Sequence, residues 1–400
     1  MIKQIVGTGI ALLITAGLYA QQASENTAYQ RAVKSLQIIE KLYGVADGKH
    51  LFREVYPFDQ TYNASYLGDG DNSKKSNPYS YLWPFSGSLS AYTALLEKSN
   101  DPEIKKHIDQ EVLPGLENYF DKRQPAAYAS YVNSAPTSDR FYDDNIWLGI
   151  DFADLYLQSK NPAYLAKSKE IWTFVESGMD DKLGGGIYWC EQRKESKNTC
   201  SNAPAVVYLL KLYEATQEKK YLTQAVTLYN WTMKNLEDPA DHLYWDNINL
   251  KGEIQKTKYP YNTGQMIQAG ALLYKLTKEE KYLKDAQLSA KSALAYFFYP
   301  AGNGKDKTAN YPVLKKSDNW FIAIMLRGFI ELYHQDKNSQ YIQAFHSNLE
   351  HAWKAMRDKN GLFGTEWTAD AKPSDQKWLL NQFALAEMYA RLSQVPDSLK

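Results

Sequence analysis

Cysteine and histidine are scarce in this 400-residue chain, and neither sign of charge is in excess: there are two cysteines, six histidines, and 46 basic against 46 acidic side chains. Each scarcity excludes something. Balanced charge leaves no basic footprint for nucleic acid and no acidic tail. The histidines form no HExxH pair, and His346 and His351 stand five apart, the wrong step for one helix face. LGDGDNS (67–73) hints at calcium but lacks the further ligands and terminal Glu of an EF-hand loop, so it reads as a plain turn. The sequence therefore requires no metal and no cofactor. A GxSxG nucleophile elbow and a GxxxxGKS/T phosphate loop are both missing.

Long apolar runs are missing too, apart from Ile5 to Leu18. With Lys3 before it and the small Ala20 after it, that run reads as a secretory signal peptide over residues 1–20, too short to favour a span. No cysteine sits at the cleavage region, which argues against a lipoprotein. Residues 21–400 are then expected to be one secreted or periplasmic domain, monomeric, with no membrane span after signal removal. In an oxidising compartment Cys190 and Cys200 are expected to close a ten-residue loop as a disulfide.

Aromatic residues are plentiful: 31 Tyr, 10 Trp and 14 Phe. Part must be core, but so much Tyr and Trp also suits a surface that stacks on planar or sugar-like ligands. One phrase recurs six times, an apolar helix end with Leu-Tyr or a close relative, then a short polar turn. Its anchors are Leu96, Tyr156, Tyr213, Tyr274, Tyr333 and Tyr389, in steps of 60, 57, 61, 59 and 56. Such a period marks one supersecondary unit stacked on itself.

Apolar residues at three- and four-residue steps, as in Ile146, Ile150, Ala153 and Leu157, place helices near 25–43, 84–98, 102–121, 143–159, 162–177 and 203–216. The second half adds 219–236, 263–277, 279–298, 318–335, 339–357 and 376–393. Connections at the phrase are short. The others are long (44–83, 122–142, 178–202, 237–262, 299–317 and 358–375), and strict alternation puts all six on one side. The first and last helices lack partners unless a ring closes. These features predict an all-α (α/α)6 toroid of six helical hairpins, with the second helix of each loop-linked pair inside.

Asp143-Asp144 is the sharpest chemical feature. Two acids at a helix start ordinarily supply a cap and a dipole partner. One suffices for that, however, and like charges forced together leave an acid beside a base. Glycosidic cleavage needs that pairing: one carboxylic acid protonates the leaving oxygen, and one carboxylate attacks or activates water. Trp189, Trp245, Trp320 and Trp367 lie in or beside long loops, where a sugar face can stack on them or packing can anchor the loop. Asp246 is a candidate for sugar hydroxyls, with an Asx-turn as the alternative.

The segments YDDNIWLGIDFADLY (Tyr142–Tyr156), GGGIYW (Gly184–Trp189), SNAPAVVYLLKLYEAT (Ser201–Thr216) and YPYNTGQMIQAGALLYKLT (Tyr259–Thr277) together resemble glycoside hydrolase family 76, over roughly Asp139 to Phe329. The resemblance implies an (α/α)6 endo-acting α-1,6-mannanase, or a related cell-wall transglycosylase. It implies retention, with Asp143 as nucleophile and Asp144 as acid/base, and α-mannan as the partner. Substrate contacts are expected from Tyr142, Asn145, Trp147, Trp189, Asn202, Trp245, Asp246, Tyr261, Asn262 and Trp320. One departure stands out: the family's Phe-Lys-Gly-x-x-x-Arg stretch reads FIAIMLR (Phe321–Arg327), with Ile322 and Ala323 in place of Lys and Gly. A non-catalytic glycan-binding repeat protein is the more distant alternative, disfavoured by the intact acid pair.

Overall fold

Each of the first five recurrences of the Leu-Tyr phrase is a helix end in the left-handed conformation. Asn100, Lys160, Gln217, Lys278 and Lys337 all have φ between 49° and 62°. Their backbone N–H groups donate to the carbonyls of Leu96, Tyr156, Tyr213, Tyr274 and Tyr333, the anchors of the phrase. This is the single-bond αL stop that satisfies one orphan carbonyl. Just before it, Ser99, Ser159, Thr216 and Thr277 donate to the carbonyl four residues back and accept from the N–H two residues ahead. A new helix starts at once.

The computed structural model describes residues 27–59, 62, 78–132, 138–302, 309–368 and 376–396. The signal segment 1–20 and the LGDGDNS turn lie outside the described residues. Among the described residues there are twelve helices: α1 (Ala28–Tyr43), α2 (Leu82–Ser99), α3 (102–117), α4 (Tyr142–Ser159), α5 (Pro162–Glu176), α6 (Thr199–Thr216), α7 (Lys219–Leu236), α8 (Pro260–Thr277), α9 (Glu280–Phe297), α10 (Asn319–Asp336), α11 (Gln340–Ala355) and α12 (Leu379–Leu392). Helix α3 carries a π-helical turn at Ile108–Val112, just before Pro114, whose missing N–H breaks the regular ladder.

The even-numbered helices are buried almost all round, as in α8, where every residue from Pro260 to Leu273 is buried. Odd-numbered helices bury one stripe, such as Tyr221, Ala225, Leu228, Tyr229 and Thr232 of α7. Even helices pack in the order α2, α4, α6, α8, α10 and α12, and α12 returns to α2. Helix α1 packs against α12, so the ring is closed and the (α/α)6 toroid stands. Between α8 and α10 the backbones nearly touch: a Cβ on Gly328 would lie 2.2 Å from the Gly264 carbonyl oxygen.

Helix starts differ from the periodic reading where proline misleads it. Helix α8 begins at Pro260, where the missing N–H is harmless, and α6 begins at Thr199 despite Pro204 inside it. The long connections also pair with each other. Val55 and Tyr56 pair antiparallel with Trp378 and Lys377, joining the first and last loops. A three-stranded sheet of Ser196–Asn198, Trp245–Asn249 and Ile254–Lys258 joins the third and fourth. Among the described residues no helix is long and apolar enough to cross a membrane.

Candidate active site

The loop-bearing face of the ring is built by one repeated position. Trp83, Asp143, Cys200, Tyr261, Trp320 and Leu380 are the second residues of the six inner helices, 60, 57, 61, 59 and 60 residues apart. The first five line a cavity of about 800 Å³. The repeat that sets the helix stops at one end therefore sets the cavity floor at the other.

Asp143 and Asp144 are the second and third residues of α4, and both open onto this cavity. The N-cap, Phe141, makes no side-chain cap bond. Instead the helix start is held by the neighbouring loop: Tyr142 N–H donates to the Trp189 carbonyl (2.9 Å), and Phe141 and Cys190 form a β-bridge. That places the Trp189 indole Nε1 at 3.1 Å from Asp143 Oδ2, which accepts its hydrogen. The Asp144 N–H donates to Asp143 Oδ1 (3.1 Å).

The two acids differ in what they meet. Burial pushes Asp143 up, to about 6, against the opposing pull of the Cys200 thiol, the Trp189 indole and backbone N–H groups. Asp144 is pushed well above the usual carboxylate range, first by burial and then by the charge of Asp143. Of the two, Asp143 has the donors that favour its anion, and Asp144 is the one whose ionisation is more strongly opposed. This is the arrangement in which one carboxyl is a base or nucleophile and its neighbour an acid.

Two more carboxylates line the cavity, Asp246 and Asp318, each raised by burial. Among the described residues that line it, the one cation is Lys377. Such a wall repels anions and suits hydroxyl-rich ligands and a positively charged transition state. Aromatic rings brace one another around it: Trp147 meets Trp320 edge-on at 4.7 Å, and Tyr261 stacks on Phe321 at 4.1 Å and 12°. Beneath the floor, Arg327 forms a bidentate pair with Glu387 (2.6 and 2.9 Å) and lies 5.9 Å from the Trp147 ring. Ile322 and Ala323 are buried and do not line the cavity, so the departure in FIAIMLR reaches it only through Phe321.

Of the residues anticipated from sequence, Asp143, Asp144, Trp147, Trp189, Asp246, Tyr261 and Trp320 line the cavity. The others serve the scaffold. Tyr142 is buried and stacks on Phe174 at 4.8 Å, because its side chain leaves the helix on the face away from the cavity. Asn145 accepts from Tyr128 N–H (2.8 Å) and donates to the Tyr128 carbonyl (2.9 Å). Asn202 does the same to Ile187, at 2.7 and 2.9 Å. Both are fourth residues of inner helices, and Gln382 holds Phe363 from the equivalent place in α12. These amides act as short strand substitutes for loop backbone rather than as sugar contacts.

Trp245 does not line the cavity, and the Lys256 ammonium lies 5.4 Å from its ring; the strand register shifts between Trp245 and Asn247, and the successive Asp246 and Asn247 both face the cavity. Asn262 is buried beside the Asp246 carboxylate without lining the cavity, and Trp367 is core. The disulfide is absent: Cys190 and Cys200 are both free and buried. Cys190 stays buried away from the cavity, its thiol 3.7 Å from Gln192 Oε1, while Cys200 lines the cavity. Cys200, Trp83, Tyr259, Asp318, Phe321 and Trp378 also line the cavity, though the sequence does not single them out individually. The roughly sixty-residue period, applied to helix starts as well as stops, finds Trp83 and Cys200. Among the described residues no group of three His, Cys, Asp or Glu side chains is placed to hold a metal ion.

Solved structures with the same architecture include a family 76 glycoside hydrolase (mannosidase) from Bacteroides thetaiotaomicron. It is 32% identical, matched over 92% of this chain and 98% of that one, with a TM-score of 0.81. Another is an inactive variant of the α-1,6-mannanase of Salegentibacter sp., with two successive aspartates replaced by asparagine and α-1,6-mannotriose bound. It is 25% identical over 91% of this chain and 99% of that one, at a TM-score of 0.72. The meiotically up-regulated gene 191 protein of Schizosaccharomyces pombe is 27% identical over 164 residues, a match spanning 37% of each protein. Residues 55–397 match Glycosyl hydrolase family 76. With that match covering all six inner helices and their acid-floored cavity, the chain belongs to glycosyl hydrolase family 76.

Proposed function

We propose that this hydrolase cleaves α-1,6-mannosidic bonds within mannan by double displacement with retention. The observation that carries the reading is the placement of Asp143 and Asp144 side by side on one cavity floor, with the Trp189 indole donating to Asp143. In the first step an Asp143 oxygen attacks the anomeric carbon while Asp144 gives its proton to the glycosidic oxygen. The carbon–oxygen bond breaks, and the leaving sugar departs neutral. In the second step the Asp144 carboxylate takes a proton from water, whose oxygen attacks the same carbon and frees Asp143. Developing positive charge on the sugar is stabilised by the acidic wall, and Trp189 keeps the attacking carboxylate aimed.

The α-1,6 linkage is supported by the mannotriose bound to the Salegentibacter variant, whose replaced successive aspartates match the Asp143-Asp144 pair in kind. We further propose that residues 1–20 direct export, leaving 21–400 as the single catalytic domain; N-terminal sequencing of the mature protein checks this. The catalytic reading is tested by reducing-end release from α-1,6-mannan. Asp144→Asn is expected to lose roughly 10²- to 10⁴-fold, the scale of general acid–base catalysis, and Asp143→Asn at least as much. Wild-type protein that binds mannan without cleaving it overturns the proposal.

A further inference from the structure

A second cavity, of about 570 Å³, adjoins the first between the start of α8, the end of α9 and the loop that leads into α10. That is the size of a small-ligand site. Tyr259, Asp318 and Phe321 line both cavities, so at each of these places a single side chain separates them. Phe321 anchors the partition: it stacks on Tyr261 on the active-cavity side and meets Tyr259 edge-on at 5.5 Å. Asp318 is the N-cap residue of α10 yet its side chain makes no cap bond, which leaves the carboxylate to the cavity walls. On the far wall Tyr296 is the most exposed large apolar side chain among the described residues, at 46%. Its ring stands edge-on to Phe297 at 5.0 Å, with the ammonium groups of Lys258 at 5.8 Å and Lys315 at 5.6 Å. Lys315 also donates to the Tyr296 carbonyl at 2.6 Å.

Resting on the mannanase reading, we propose that the second cavity holds a neutral sugar side branch carried by a backbone residue in the active cavity, with Tyr296 as the platform on which the branch stacks. The class of ligand follows from the charges. Lys258 is held by Asp238 and Asp241 at 2.6 and 2.7 Å, Lys316 pairs with Glu366, and Asp318 offsets Lys315 in the same lining. No surplus of positive charge is left for a phosphate or a carboxylate. What remains is what a sugar uses: an exposed ring face, a carboxylate acceptor and an ammonium donor. Continuity with the active cavity makes the occupant part of the substrate rather than a separate ligand. A branch that would block a walled cleft is given room beside it, across a partition one side chain thick. The cavity thus selects which backbones enter and leaves the bond-breaking steps unchanged.

The test compares kcat and KM on a branched α-1,6-mannan and on the same mannan stripped of its branches, for wild type, Tyr296→Ala and Tyr296→Phe. Tyr296→Ala should lose about tenfold in kcat/KM on the branched substrate, the scale of one aromatic contact, with the loss in KM. On the unbranched substrate it should match wild type, since Tyr296 does not line the active cavity. Tyr296→Phe keeps the ring and should stay within about twofold of wild type on both. Equal losses on the two substrates, or no loss on the branched one, overturn the proposal. A loss confined to branches that carry phosphate overturns it as well, because the cavity is then an anion site. A wild type that cleaves neither mannan sinks the functional reading alone. Retardation of the same three proteins in native gels cast with each mannan then makes the same comparison, with the same deciding outcomes.

Discussion

Replacing Asp143 by asparagine removes an ionised group from a low-dielectric floor, and the fold should respond in a pH-dependent way. An aspartate titrates near 3.9 in the unfolded chain, whereas burial holds Asp143 at about 6 in the folded protein. Between those values the folded state binds more protons than the unfolded one, so stability falls as pH rises from about 4 through 6. A rise of about two pH units corresponds to about 3 kcal/mol at neutral pH. Because the cavity is open to water, screening reduces this to roughly 1–2 kcal/mol. The substituted amide carries no such charge. The variant should therefore be the more stable form at pH 7.5, with a Tm higher by about 1–3 °C for a chain of this length. At pH 4 the two Tm values should converge. Thermal unfolding followed by circular dichroism at both pH values reads the difference. Equal Tm values at pH 7.5, or a gap that persists at pH 4, would mean that burial does not set the protonation of this acid.

Two scaffold predictions follow from the repeat itself. Lys278 is held at φ 62° with a side chain that this region disfavours, so Lys278→Gly should stabilise the fold by about 0.5–1 kcal/mol in denaturant titration without changing activity. Asn202→Ala leaves the buried Ile187 N–H and carbonyl without their partners and should cost about 2–4 kcal/mol. Its loss of activity should track the unfolded fraction, and vanish at temperatures where the variant is fully folded.

Periodicity was the legible part of this molecule because helix stops are local. The Leu-Tyr anchor, the hydroxyl that bonds back a turn and the polar residue in the left-handed region are all set by a few successive residues, so the phrase located five helix ends closely. Inner and outer helices also separate by pattern, since an all-round buried helix cannot alternate polar and apolar faces. The acid pair was legible for a related reason: two successive carboxylates exceed what a helix start needs. What failed were directions of side chains inside long loops. Whether Trp245 or Asp246 faces inward depends on a strand pairing between distant loops. Asn145 and Asn202 looked like sugar contacts because polar residues at a cavity mouth and polar residues pinning loop backbone have the same composition. Compartment and spacing suggest a disulfide, yet one cysteine turns to Gln192 and the other into the cavity.

The proposed mechanism passes through a covalent bond between the sugar and Asp143, formed with the help of a protonated Asp144. Incubation with a 2-deoxy-2-fluoro-mannosyl donor carrying an activated leaving group should slow the second step enough to trap that species. Mass spectrometry of the digested protein should then find the fluoromannosyl adduct on the peptide containing Asp143, and on that residue. An enzyme that turns over mannan yet yields no adduct, or one that carries it on another residue, would contradict the account.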